Sequence, residues 1–521
     1  MENLRNVKSI PPKKTYPWLT FISLAFLFFG VVIRLSQYLY NRSLWYDEVS
    51  VVLNIIHRSY GELLNSLDNQ QAAPPLFLWL EKLNVQLWGN NEYVLRMFPL
   101  IAGIVALISF YRFAKKYTSP VSATIAIALF ATLRYTVYYT VEVKQYASDM
   151  MVAMLLMLIL VPLRHRILSK GKIIWLSFLG CVFIWLSHPS IFVMGGIEVA
   201  YWLMASRAKR LGLLINRVPV YLTWLISFGL LYFLTINKTM EDSRLVSFWQ
   251  ARYPDSLFDI AWLLDAFGRF FYRPLGFMGI ADGFALVAFI LGCVVYYRRN
   301  QILLVTLISP FVATLIASYL QKYPFRERLI LFLAPIGILI IAEGVTWLLS
   351  QWQGEGKRKY VGLFGIFTLI MLTLPPFFSS ANLIFHPREV QEFRPVLEYV
   401  HSQQKPGDLI YVYRGGINHF SYYGPKYGYT EADYILGKQI LGKNNLTDEE
   451  RQDYEGDIEQ LRGKNRVWLL FRAQKSQEEN LLIYPNKIGK SLDSFHATEA
   501  FVYLYDFSNY KGTGNSKLLD L

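Results

Sequence analysis

Ser43-Leu44-Trp45-Tyr46-Asp47-Glu48-Val49-Ser50 sets two adjacent carboxylates among aromatic side chains, directly after the first membrane-length apolar run. Partial desolvation at a membrane interface raises the proton affinity of a carboxylate, which suits a general base. Asp47 is the candidate for that role, and Glu48 the candidate for orienting the loop or the group that gives up its proton. The same pair also suits a helix N-terminus, where carboxylates satisfy free N–H groups.

Two more stretches carry charge where a membrane protein usually avoids it. Arg134-Tyr-Thr-Val-Tyr-Tyr139-Thr-Val-Glu142-Val-Lys144-Gln-Tyr146 joins two apolar runs. Its tyrosines and cations read as an interfacial aromatic belt. Glu142 asks for a partner, and Lys144 or Arg134 supplies one. Lys322-Tyr-Pro-Phe-Arg326-Glu327-Arg328 gathers three cations before a long apolar run. Either an anionic ligand draws them, or Arg326 and Arg328 pair Glu327 and neighbouring acids. His188-Pro189-Ser190 reads as a turn, with His188 either hydrogen-bonded there or a ligand. Glu198 and Glu343 lie within apolar runs and point to pairing between helices. Cys181 and Cys293 sit in apolar runs and give neither a disulfide framework nor zinc spacing. Gly415-Gly416 follows a strand pattern without GxGxxG or a P-loop lysine.

The elements that hold these residues follow from composition. Of 521 residues, 54% are hydrophobic and 17% charged, so the chain is a polytopic membrane protein, mainly α. Apolar runs give about eleven spans, near 16–36, 95–112, 120–138, 147–163, 173–188, 190–206, 218–236, 276–297, 302–320, 328–350 and 360–378. The first follows a basic start (Arg5, Lys8, Lys13, Lys14) and reads as an anchor, since no small-residue cleavage site follows it.

The net charge of +14 falls in clusters between spans, which is a topological signal and not a nucleic-acid one. With a cytoplasmic N-terminus, the inside loops hold Arg112/Lys115/Lys116, Arg164/Arg166/Lys170/Lys172, Arg207/Lys209/Arg210/Arg217, Arg298/Arg299 and Lys357/Arg358/Lys359. Asp47-Glu48, the 135–146 segment, His188-Pro189, the 237–275 loop and 322–328 then share the outer face. The first outside loop, about 38–94, reads as short amphipathic helices lying in the interface. From 379 to 521 the composition turns charged, with alternating helix and strand patterns: a small extracytoplasmic α/β domain after a 1–378 transmembrane catalytic domain. Sequons at Asn41, Asn237 and Asn445 fall on the predicted outer side, and Asn41 stands so near Asp47 that a bacterial inner membrane is favoured over a secretory pathway.

Four stretches together resemble the GT-C glycosyltransferases, in the branch of the protein O-mannosyltransferases and the lipid A aminoarabinose transferase (family 39-like). They are Leu44-Trp-Tyr-Asp47-Glu48, Asp68 to Pro74-Pro75-Leu76, Tyr138-Tyr139 through Glu142-Val-Lys144-Gln-Tyr146, and Arg328 to Pro335. The family's W-x-D-E is complete here. Ala73 stands where many relatives have His, Val141-Glu-Val-Lys144-Gln-Tyr replaces Q-E-A-R-x-Y, and Arg328-Leu329 replaces R-Y. Lys for Arg keeps the charge but not bidentate phosphate binding.

The resemblance implies inverting transfer of a sugar from a polyprenyl-monophosphate donor to a lipid, glycan or protein acceptor on the outer face. Lys144 and Arg328, with Arg326, are then the cations for the departing phosphate, and Glu142, Tyr146, Tyr139, Trp45 and His188 the substrate-contacting set. No cofactor is required, although a divalent metal is compatible. Two alternatives stay open: a transporter or flippase, and a polymerase or ligase using a diphosphate-linked oligosaccharide. Neither internal repeats nor broken midplane helices, the marks of a transporter, are evident.

Overall fold

A computed structural model describes residues 16–164, 166–438 and 448–508. The basic start and the Asn445 sequon lie outside the described residues. The chain forms two compact units, Met1–Tyr40 with Arg58–Pro387, and Asn41–His57 with Arg388–Leu521. Composition placed the boundary near 378. The structure divides at 387/388, and a short piece of the first outside loop groups with the C-terminal unit.

In the first unit every expected apolar run is helical. Among the described residues eight helices are long and apolar enough to cross a membrane: Pro17–Tyr40, Glu92–Tyr117, Tyr146–Leu163, Ala208–Met240, Ile280–Arg299, Gln301–Tyr319, Glu327–Gln353 and Lys357–Phe385. A ninth is a pair, Pro120–Thr132 and Arg134–Val141, bent by 61°. Lys170–Leu186 and Ser190–Met204 are shorter, so length and apolarity alone give eight or nine spans where about eleven were expected.

The bend has a physical account. Breaking a helix frees carbonyls that must find donors. Arg34, fully buried in the first span, donates to the carbonyls of Phe130 (3.3 Å), Ala131 (3.3 Å) and Thr136 (2.9 Å). The Thr136 hydroxyl turns back to Phe130 and Leu133 at 2.8 Å. The result aims the 134–146 segment away from the axis of the preceding helix.

Glycines let spans approach closely. A Cβ on Gly344 would stand 1.9 Å from the Ala288 carbonyl oxygen, and one on Gly292 2.0 Å from that of Ile340, so Ile280–Arg299 and Ala334–Ser350 meet backbone to backbone. Glu198 and Glu343 are paired between helices, as expected. Glu198 takes Arg217 at 2.6 Å and the Tyr221 hydroxyl at 2.7 Å, and Glu343 takes Arg299 at 2.6 Å. Arg217 is thus corrected from an inside-loop charge to a buried partner within the Arg207–Leu231 helix, because an unpaired Glu198 would be costly there.

The second unit holds a mixed sheet in the order β2-β1-β3-β5-β4, with β1 Leu409–Val412, β2 Tyr434–Leu436, β3 Val467–Phe471, β4 Lys490–Ala497 and β5 Ala500–Asp506. β1 runs parallel to β2 and β3, whereas β5 is antiparallel to β3 and β4. β3, Val-Trp-Leu-Leu-Phe, is buried at every position, as a central strand covered on both faces should be. Tyr411, Tyr454, Leu469, Phe471, Phe501 and Tyr505 form its core. β4 and β2 escaped the sequence reading because one is a charged, half-exposed edge strand and the other is three residues long.

Candidate active site

Within the second unit, Asp47 and Glu48 lie in the first turn of the Tyr46–His57 helix. The Trp45 carbonyl accepts the first helical bond, from the Val49 N–H at 2.9 Å, so Trp45 is the cap. Glu48, fully buried, reaches back to the Trp45 N–H at 3.3 Å, as a capping-box acid does, and pairs buried Arg42 at 2.9 Å. Asp47 is half-buried beside it, and Trp45 is half-buried as well.

The segment ahead of this helix is stitched to the C-terminal part of the same unit. Glu392 accepts from the Ser43 N–H and, at 2.7 Å, from its hydroxyl. Tyr423 takes the Leu44 N–H at 2.8 Å, and Gln391 takes the Tyr46 N–H at 2.8 Å. Arg394 donates to the Asn41 carbonyl at 2.7 Å, and the Arg472 guanidinium lies 5.3 Å from the Tyr46 ring centre. Backbone N–H groups that a free loop would leave to water are thus held by side chains from 391–423, which fixes the Asp47 backbone.

Within the first unit, the 134–146 segment and the start of the Glu327–Gln353 span come together. Tyr146 meets Tyr139 edge to face at 4.9 Å, and Tyr139 stacks on Tyr135 at 6.0 Å. The Arg328 guanidinium lies 5.7 Å from the Tyr146 ring centre. Glu142 and Lys144 are buried, with a tight turn between them in which the Lys144 N–H donates to the Glu142 carbonyl at 2.7 Å. The Lys144 ammonium also donates to Gln71, and Gln145 donates to the Ala72 carbonyl at 3.2 Å. The stretch before Pro74-Pro75 is thereby tied to the third motif. Gln71 escaped the sequence reading, as did Arg42, Glu392 and Arg34, because each acts on a partner distant in sequence or on backbone.

Arg326 lies differently from Arg328. It pairs Asp265 at 2.7 Å, and Asp265 also takes Arg269 at 2.7 Å. Burial alone would raise the Asp265 carboxyl, but hydrogen bonds from Arg269 and Arg326 hold it below the usual range. His188 is half-buried at the turn between the Lys170–Leu186 and Ser190–Met204 helices, and burial holds its imidazole down at about 4. Next to that turn, Phe192 packs on Tyr323 at 5.0 Å, and the Tyr323 hydroxyl donates to the Leu329 carbonyl at 2.7 Å. One buried ammonium, and one half-buried guanidinium beside a tyrosine ring, suit an anionic head group. Among the described residues no group of three His, Cys, Asp or Glu is arranged to hold a metal ion.

Residues 72–239 match the family model described as dolichyl-phosphate-mannose-protein mannosyltransferase. No curated protein matches the chain by sequence. Among solved structures, the fold is similar to ArnT from Cupriavidus metallidurans bound to undecaprenyl phosphate, with a TM-score of 0.53 at 10% identity over 94% of this chain and 98% of that one. The apo state of the same protein gives 0.50 at 11% identity over the same shares. Identities this low speak for the fold, and the family match falls on the stretch that contains Glu142, Lys144, Tyr146 and His188. The chain thus shares its fold with ArnT, and within that fold residues 72–239 match the mannosyltransferase family model.

Proposed function

We propose that this protein transfers a sugar from a polyprenyl-monophosphate carrier to an acceptor hydroxyl on the extracytoplasmic face of a bacterial inner membrane, with inversion at the anomeric carbon. In the step, Asp47 takes the acceptor O–H proton, the acceptor oxygen bonds to the anomeric carbon, and the bond from that carbon to the carrier phosphate breaks. The electron pair leaves on the phosphate, whose charge Lys144 and Arg328 stabilise. Glu48 and its partner Arg42 keep the Asp47 turn in shape, and Trp45, Tyr139, Tyr146, Glu142 and His188 contact the substrates. Arg326, shared with Asp265, is the weakest member of the phosphate set.

The observation that carries this reading is that the family match over 72–239 takes in Tyr139, Lys144 and Tyr146, and that Arg328, from beyond the match, lies 5.7 Å from the Tyr146 ring centre. That ArnT binds undecaprenyl phosphate supports the carrier class. Because the leaving group is one phosphate, fixed cations suffice and no metal is invoked.

The test is turnover by the purified full-length chain in lipid nanodiscs, supplied with undecaprenyl-phosphate-linked hexoses and membrane extract as acceptor source. Loss of sugar from the charged carrier, release of undecaprenyl phosphate and an inverted anomeric product are expected. Consumption of a diphosphate-linked oligosaccharide alone would make the protein a ligase, and movement of the carrier across the bilayer without turnover would make it a flippase.

A further inference from the structure

Close to the aromatic and cationic cluster, His188 belongs to a group of buried polar side chains whose other members the transfer step leaves unused. Asp149 stands one turn beyond Tyr146 and is 4% exposed, yet its Oδ1 has no hydrogen-bond partner. The Ser187 hydroxyl is within reach of that carboxylate and bonds it only loosely, which leaves both short of a partner of good geometry. Ser187 and Ser190 are each 1% exposed, and both hydroxyls lack a partner of good geometry, as does the buried Nε2 of His188 between them. Tyr323 closes the group from the side of Arg328, near Asp149 and against Phe192.

Four such atoms at one place are unusual. Buried polar groups are nearly always bonded, and each left alone costs about 1–3 kcal/mol. The two ends of the Ser187–Ser190 turn are joined by a backbone bond from the Ser190 N–H to the Ser187 carbonyl at 3.1 Å, so backbone needs are met and the side chains remain.

The chemistry of the set selects its ligand. Asp149 offers acceptors, the two serines offer both donors and acceptors, and a neutral imidazole offers one of each. A carboxylate repels an anion, and four polar atoms reject a prenyl tail. A polyhydroxyl group fits, because every hydroxyl is both donor and acceptor and two neighbouring hydroxyls can share one carboxylate. The ring of Tyr146, on the same helix face one turn away, adds an apolar surface.

We propose that Asp149, Ser187, His188 and Ser190 form the subsite that holds the hydroxyls of the transferred sugar, distinct from the Lys144 and Arg328 cations that take the carrier phosphate. This rests on the glycosyl-transfer reading above and names where its sugar is recognised.

The experiment compares two probes on the full-length protein in nanodiscs: bare undecaprenyl phosphate, and a panel of undecaprenyl-phosphate-linked hexoses. The wild type is expected to bind at least one charged carrier more tightly than the bare one. Asp149→Asn and Ser187→Ala should each reduce that preference by about 10-fold, as losing a hydrogen bond to a charged group would. Binding of the bare carrier should stay unchanged, which also shows that the variants fold. A preference that survives both substitutions overturns the proposal, leaving the group satisfied by buried water alone. Equal loss of both probes also overturns it, since the residues would then be structural. A wild type that binds neither probe sinks the glycosyl-transfer reading along with the subsite.

Discussion

Asp47 and Glu48 are neighbours in sequence but sit differently, the first half-buried and the second fully buried against Arg42, and substitution should separate them. Asp47→Asn keeps shape and hydrogen-bonding capacity while removing the proton acceptor, so transfer should fall by about 10²–10⁴-fold with unchanged thermal stability and carrier binding. Near-normal turnover by that variant, in a purified assay, would reduce Asp47 to a helix cap. Glu48→Gln should behave otherwise. It leaves Arg42 charged and buried without its carboxylate, and breaking a buried pair this way costs about 3–5 kcal/mol. The expected result is a large drop in melting temperature, whatever happens to the rate; an unchanged melting temperature would show the pair to be dispensable. From sequence, Glu48 was legible only as one of a carboxylate pair that suits a helix N-terminus. Its partner was not, because an arginine six residues earlier in an irregular stretch has no periodicity to betray it.

At the scale of elements, the helices were legible because apolar length in a membrane has few solutions, and their interruptions were not. Nothing in Leu133 or its neighbours resembles a proline or glycine break; the bend is held by Arg34 and Thr136, one of them remote in sequence. The turn that follows is held as tightly. A Cβ on Gly103 would meet the Thr140 Cγ2 at 2.2 Å, so Gly103→Ala should push the 139–141 turn, and with it Glu142 and Lys144. Overpacking of this kind costs about 1–3 kcal/mol. Carrier binding should weaken, and Thr140→Ser in the same chain should restore part of it by removing the obstructing methyl; lack of rescue would place the damage elsewhere. In the second unit, fully buried His419 packs on Phe393 at 5.4 Å. Burial first, and the Arg472 charge second, hold its imidazole down at about 3. The folded state then binds fewer protons than the unfolded one, whose histidine titrates near 6.5, so stability should fall as pH drops from about 6.5 towards 3, by up to about 1.4 kcal/mol per pH unit. Thermal unfolding of His419→Leu against the wild type isolates this contribution: the variant should lose less stability between pH 7 and pH 5, and equal losses would refute the assignment.

At the scale of the whole molecule, the reading depends on sidedness. The loops rich in Lys and Arg, and those carrying Glu142, Lys144, His188 and Arg328, alternate along the chain as positive-inside sorting requires. Two consecutive helices, Lys170–Leu186 and Ser190–Met204, fall short of span length; if neither spans, the His188 turn changes side, and if only one does, every later loop changes side, so the assignment is open to direct attack. In a variant lacking Cys181 and Cys293, single cysteines at Lys405 and Gly171 decide it. Both positions are exposed, the first in the C-terminal unit and the second at the start of the Lys170–Leu186 helix. A membrane-impermeant maleimide added to intact cells, with access through the outer envelope, should modify Lys405→Cys and reach Gly171→Cys only after the inner membrane is opened. The reverse pattern would put the C-terminal unit in the cytoplasm, where a carrier charged for use outside is not presented. Labelling of both from outside would mean that the Tyr146–Leu163 span does not return the chain to the inner face before Gly171. In that case His188 and Ser187 lie opposite the face assumed for them, and the sugar subsite fails on topology before any binding is measured.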